Sequence, residues 1–431
     1  MTRDLRTILF LAALVLAAWF LPVGSPRFDA SLIEAFAMLN EYARLHILLC
    51  LVPALFIAGA IGVFLNRDSV LSYLGPGANR LKAYGVASVS GTILAVCSCT
   101  VLPIFAGIYT MGAGLGPAAA FLYSGPAINI LAIVMTARVL GIGIGIARAI
   151  GAVVFSIVIG LLMSLFFRKS KSELARTGRA GSHSAPVRPL WRTVLFFASM
   201  VGILVFANWG SPEGAAPLWV FVARIKWWIA SAFALLLAVI LAVDFGAGWR
   251  RVLPACIPVA VLALMLPGKP VYAFTAGIGA VGFLAATGGP QLREWFDATL
   301  GFARQIIPLL LGGVLVAGFL LGRPGHEAMV PSAWIARAVG GNTISANLFA
   351  SASGALMYFA TLTEVPILQG LMGSGMGSGP ALALLLAGPA LSLPSMLVLR
   401  SIMGFRKTLV YVALVVVLST VTGLIYGSIA G

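Results

Sequence analysis

Apolar positions run along this chain in long unbroken stretches, and polar or basic residues are confined to the short connections between them. Runs near 7–23, 46–65, 142–167, 191–209, 226–243, 295–321 and 407–428 match the roughly 17–25 apolar residues that carry a helix across a bilayer. Shorter runs near 252–266 and 271–287 read as a tight pair of spans. The first run has the length of a secretory leader but lacks a small-residue cleavage site, and Leu21, Pro22 and a polar stretch follow it, so it reads as a span.

Two further stretches are as apolar but are punctuated by glycine and proline. Residues 91–141 and 354–404 align without a gap at a constant offset (354 − 91 = 263), with 16 identities in 51 positions. Gly91, Gly107, Gly112, Gly114, Gly116, Gly125 and Gly141 all meet glycine, and Pro103, Pro117 and Pro126 all meet proline. Those residue types set backbone conformation, so what is duplicated is a way of bending chain in an apolar setting. In the first copy an apolar arm at 83–96 is interrupted by CSCTVLP and returns over 104–111, a re-entrant hairpin. Residues 114–140 then cross once, broken at Gly125 and Pro126. The second copy has its hairpin tip around Thr361 to Pro366 and its break at Gly388 and Pro389. Broken backbone survives at membrane depth only where protein or a watery cavity surrounds it, so the breaks should converge on a binding site near the midplane.

Composition agrees. Apolar residues make up 61% of the chain and charged residues 9%, against roughly 25% charged in a soluble domain. The net charge of +16 is no nucleic-acid signature here, because the basic residues sit between apolar runs. The densest cluster holds Arg168, Lys169, Lys171, Arg176, Arg179, Arg188 and Arg192 against Glu173, and marks the cytoplasmic side. Counting spans outward from it puts Gly141 outside and its equivalent Gly404 inside, so the copies are inverted. Arg138, Arg148, Arg323 and Arg337 run against this assignment. The expected fold is all-α and polytopic, with about 9–10 transmembrane helices, two re-entrant hairpins and an inverted-topology repeat. Its expected divisions are an N-terminal span and outer segment (1–45), a first transport unit (46–167), a basic linker (168–190), a four-span scaffold (191–290) and a second transport unit (291–431).

Chemistry near the breaks comes from three groups. Cys97 and Cys99 flank Ser98 at the first hairpin tip, and thiolates suit trivalent arsenic, Cu(I) and similar thiophiles; the other reading is that of small buried apolar residues. Glu364 is an acid inside a repeat core, aligned with Val101. A carboxyl at that depth is costly unless neutral or paired, which fits proton coupling or, equally simply, a bond to freed backbone. Asn129 and Ser392 occupy equivalent positions at the start of the half helix after each break, where an anion or a helix cap would sit. Thr100, Pro103, Gly125, Pro126, Thr363, Pro366, Gly388 and Pro389 complete the expected substrate-facing set. His46, His183 and His326 lie at span ends or in loops, and neither a hydrolytic triad nor a nucleotide-binding loop is present. A membrane enzyme, a bound cofactor and a resident metal are therefore not expected. The implied partners are membrane lipid and a small-molecule or ion substrate; the chain is compatible with an oligomer.

CSCTVLPIFAGIYTMGAGLGPAAAFLYSGPAIN and YFATLTEVPILQGLMGSGMGSGPALALLLAGPALS resemble the paired signatures of the predicted-permease family that includes bacterial methylarsenite efflux permeases. The resemblance implies a polytopic inner-membrane permease, linked in some members to export of trivalent organoarsenicals and in others to metals. Cys97 to Cys99 match the family motif. At the second tip, where some relatives carry cysteine, this chain has Phe359, Ala360 and Thr361. The reading is an efflux permease for a small thiophilic species, coupled to protons. A permease or channel for a small inorganic anion, or a membrane scaffold for a partner protein, are the alternatives.

Overall fold

The structure is a computed structural model that describes residues 12, 19, 22–65, 79, 82–88, 98–128, 130–167, 189–209, 217–323, 326, 328–330, 338–357, 364–373 and 375–430. The described chain is helical and multi-pass, with six helices long and apolar enough to cross a membrane and several shorter apolar ones.

Helix α1 (Pro26–Tyr42) starts with proline at its first position, where the missing N–H costs nothing, and with Asp29 in its first turn. It continues through a π-helical segment (Ala43–Leu51) into α2 (Val52–Phe64), giving 39 helical residues without a stop. Hydropathy places the start of this span twenty residues later, because Glu34, Asn40, Glu41 and Arg44 interrupt the apolar pattern. The polar half is helical because it packs along α11 (Pro290–Leu321), which also packs on α2. Arg323, just beyond α11, clamps Glu34 with two hydrogen bonds, Nε to Oε2 at 2.8 Å and Nη2 to Oε1 at 3.1 Å.

The first copy supplies α3 (Ser98–Thr110), α4 (Leu115–Ala127) and α5 (Ile130–Val139), and α6 (Ile142–Phe166) follows it directly. Between the copies lie α7 (Leu190–Ala207), α8 (Pro217–Val243), α9 (Trp249–Met265) and α10 (Pro270–Thr287). After α11 comes α12 (Ile344–Leu356), which runs into the second copy; that copy supplies α13 (Glu364–Gly373), α14 (Ser378–Ala387) and α15 (Leu393–Met403), and α16 (Phe405–Ala430) follows it directly. The helix starts keep the sequence offset: 115 + 263 = 378, 130 + 263 = 393 and 142 + 263 = 405. Packing keeps it too. Gly116 and Gly160 bring α4 and α6 into backbone contact, and Gly379 and Gly423 do the same for α14 and α16 at the same offset. A Cβ on Gly160 would lie 2.7 Å from the Gly116 carbonyl, and one on Gly423 2.7 Å from that of Gly379. Across the copies, α3 packs on α15 and α13 on α5, two contacts that are images of each other, and α6 packs on its own equivalent, α16.

Proline does not break the chain where the pattern places the breaks. Pro103 lies inside α3, which is helical from Ser98, so six of the seven residues of CSCTVLP are helix and Cys97 lies outside the described residues. Pro126 likewise sits in the last turn of α4, and the chain leaves the helix only at Ile128 (φ −99°, ψ 47°). In the second copy Gly388 is still helical (φ −59°, ψ −50°) and the extended residue is Ser392. The fixed φ of proline fits a helix, while its missing N–H leaves one carbonyl unmet, so the ladder weakens and ends a few residues on. Ile128 N–H still reaches Ser124 O at 2.9 Å, and Leu391 N–H reaches Ala387 O at 3.1 Å, the same bond at the same offset.

Candidate functional site

The centre of the site is an ion pair between Glu364 of the second copy and Arg148, seven residues beyond the end of the first. Glu364 is the first residue of α13, where the positive end of the helix favours a carboxylate. Its Oε1 accepts from Arg148 Nη2 on α6 at 2.5 Å, and the two side chains are 1% and 0% exposed. Arg148 Nη1 donates to Thr136 Oγ1 on α5 at 2.8 Å, and the Thr136 hydroxyl donates in turn to Ala132 O at 2.7 Å. One guanidinium thus ties three helices, and its Nε is buried with no hydrogen-bond partner among the described residues. Charges at this depth are stable only as a pair, since desolvation costs several kcal/mol per ion and loss of either partner strands the other. Glu364 was visible in the sequence as an acid at depth. Arg148 was missed, because a basic residue seven positions into a span reads as a topology violation.

Two tyrosines extend this polar centre. Tyr123 on α4 donates its hydroxyl to Leu386 O at 2.9 Å, and Leu386 is its own repeat equivalent, 263 residues on. A residue in contact with its equivalent lies at the junction of the two copies. Tyr123 is also near Arg148 and Tyr411, and Tyr411 lies at the same offset from Arg148 (148 + 263 = 411). The Tyr411 hydroxyl is fully buried and has no hydrogen-bond partner among the described residues.

The remaining expected residues divide. Cys97, Asn129 and Thr363 lie outside the described residues, and of Cys99 and Pro366 only the helical backbone is described, in the first turns of α3 and α13. Thr100 is fully buried in α3, beside Cys50 of the π segment, a neighbour that no sequence pattern indicates. Pro103, Gly125, Pro126, Gly388 and Pro389 are buried in or beside the helix ends described above. Ser392 caps α15 in a reciprocal box: its Oγ accepts from Ser395 N–H at 3.3 Å, and Ser395 Oγ accepts from Ser392 N–H at 2.9 Å. Those donors are met within the protein, as the capping reading of Ser392 expects.

Long apolar helices around a buried charge pair, with broken half helices on both sides, define a multi-pass membrane permease. The chain belongs to the predicted-permease family, whose pattern it matches over residues 32–428. It is 38% identical over 390 residues to UPF0718 protein MJ0584 of Methanocaldococcus jannaschii, covering 90% of this chain and 94% of that one. It is 41% identical over 78 residues to UPF0718 protein YraQ of Escherichia coli, covering 18% of this chain and 21% of that one. No solved structure matches it.

Proposed function

We propose that this permease is a proton-coupled secondary transporter of the cytoplasmic membrane that exports a small thiophilic species such as a trivalent organoarsenical. The buried Arg148–Glu364 pair carries this reading. An ionised Glu364 holds Arg148 and anchors α13, the return arm of the second hairpin, to α5 and α6. A proton on Glu364 cancels the charge attraction and frees the arm, so protonation and movement are linked at one residue. The transport units are residues 46–167 and 291–431, and the constant helix register and the mutual packing of α3 with α15 and α13 with α5 support their operation as an inverted pair. The Cys97–Cys99 run at the start of α3 supports a thiophilic substrate, as does the family resemblance. Uptake into everted vesicles tests the whole: methylarsenite should accumulate only with a pH gradient, and accumulation indifferent to pH would end the coupling reading.

A second reading is export of a small inorganic anion. Its support is the Nε of Arg148, a buried donor on a positive charge that finds no partner among the described residues. Accumulation of an inorganic anion but not of arsenicals or soft metals in the same vesicles would favour it.

A further inference from the structure

We propose that Asn208 is a positioning residue for the first transport unit: from scaffold helix α7 its carboxamide supplies the hydrogen bond that Pro53 denies to Leu49, and so fixes the joint of the first span against α3. That joint is the π-helical segment Ala43–Leu51, between α1 and α2. Pro53 is the second residue of α2. In an α-helix the Leu49 carbonyl would take its bond from the N–H of residue 53, but proline has none, and its ring crowds that carbonyl as well. The helix is wide here: Val52 N–H bonds back five residues to Ile47 O. Leu49 O is met from outside, by Asn208 Nδ2 at 2.8 Å.

Asn208 is suited to this by its chemistry and its place. It ends α7 (φ −92°, ψ 3°), and a primary amide carries two N–H donors. One meets Leu204 O in the last turn of α7 at 2.8 Å and anchors the carboxamide, while the other reaches Leu49 O, 159 positions away. A helix cap would use the Leu204 bond alone. The rest of α7 packs on α8 and on α2, and the π segment packs on α3 and α10. Since α3 packs in turn on α15 of the second copy, a side chain at the end of the scaffold holds a span that seats the interface between the copies. Wide turns of this kind are rare and gather at functional sites. The inference is independent of which substrate is carried.

Hydrogen exchange on the purified full-length protein reads the joint directly. Asn208→Ala should speed exchange of the amides over 43–52 about 5-fold, the population change that loss of one hydrogen bond brings, and exchange in α3 over 98–110 should rise with it. Asn208→Asp, nearly the same size but without the donor, should behave like Asn208→Ala. Pro53→Ala restores the missing N–H and gives Leu49 a partner within its own helix. Asn208→Ala combined with Pro53→Ala should therefore exchange as Pro53→Ala alone does, a rescue that a side chain filling space or capping α7 would not show. Should Asn208→Ala fail to fold, recovery of a cooperative thermal transition on adding Pro53→Ala supports the proposal, and no recovery overturns it. Unchanged exchange over 43–52 in Asn208→Ala, an effect that stops short of α3, or one that persists undiminished beside Pro53→Ala also overturns it.

Discussion

Arg148 and Glu364 are 216 positions apart and depend on each other at the level of single atoms. Arg148→Met leaves an uncompensated carboxylate in a dry site and should cost about 3–5 kcal/mol. Arg148→Met combined with Glu364→Leu removes both charges and should recover most of that loss, which thermal unfolding of the purified variants measures. Recovery would show that the penalty lies in the stranded charge and not in packing. Glu364→Gln keeps shape and a hydrogen-bonding group but cannot exchange a proton. Concentrative, pH-driven transport should fail in this variant while substrate exchange persists, because exchange moves the loaded carrier without cycling a proton. Counterflow and proton flux in one reconstituted preparation separate the two, and normal concentrative transport by Glu364→Gln rules out the coupling role.

Pairs of helices in this protein meet through glycine, and the two equivalent crossings make a matched test. A methyl group on Gly160 or Gly423 would press on a backbone carbonyl, which has no rotamer to escape into. Gly160→Ala and Gly423→Ala should each lose about 1–3 kcal/mol, the range for overpacking a tight contact. Gly62→Ala, with open space around its Cβ, should leave the unfolding temperature nearly unchanged. Equal losses at both crossings are expected if the copies share one packing scheme, and a loss confined to one would separate them. The Ser392–Ser395 box belongs to this scale as well. Ser392→Ala should cost about 1 kcal/mol, as for other helix caps, with no change in substrate selectivity.

Across the whole molecule, Arg148 and Arg323 help explain why the charge count is imperfect. Both are ion-paired, to Glu364 and to Glu34, so neither counts as a free positive charge in the topology expected from the sequence. With those two set aside, the positive-inside rule expects the basic segments around 168–192, 250–251 and 400–407 on one side of the membrane. Ile142 and Phe405 begin the equivalent helices α6 and α16, and both are exposed. Cysteines placed there, in a background without the native ones, should label from opposite sides of the membrane. Labelling from the same side would remove the inverted arrangement and the transport scheme built on it.

The sequence alone determined the membrane class, the duplication with its helix register, and the isolation of Glu364. Each of these is written locally: apolar runs follow from bilayer thickness, and glycine and proline act on their own backbone. It misjudged where the chain leaves the helix, because proline weakens a ladder without choosing the residue at which it ends. Tertiary structure decided the partners. Arg148 meeting Glu364, Tyr123 meeting Leu386, and Cys50 meeting Thr100 join residues 216, 263 and 50 positions apart (100 − 50 = 50). No periodicity carries such pairings. They arise because packing the two copies against each other leaves a few polar groups without water, and those groups are stable only where the other copy or a neighbouring helix supplies the missing bond.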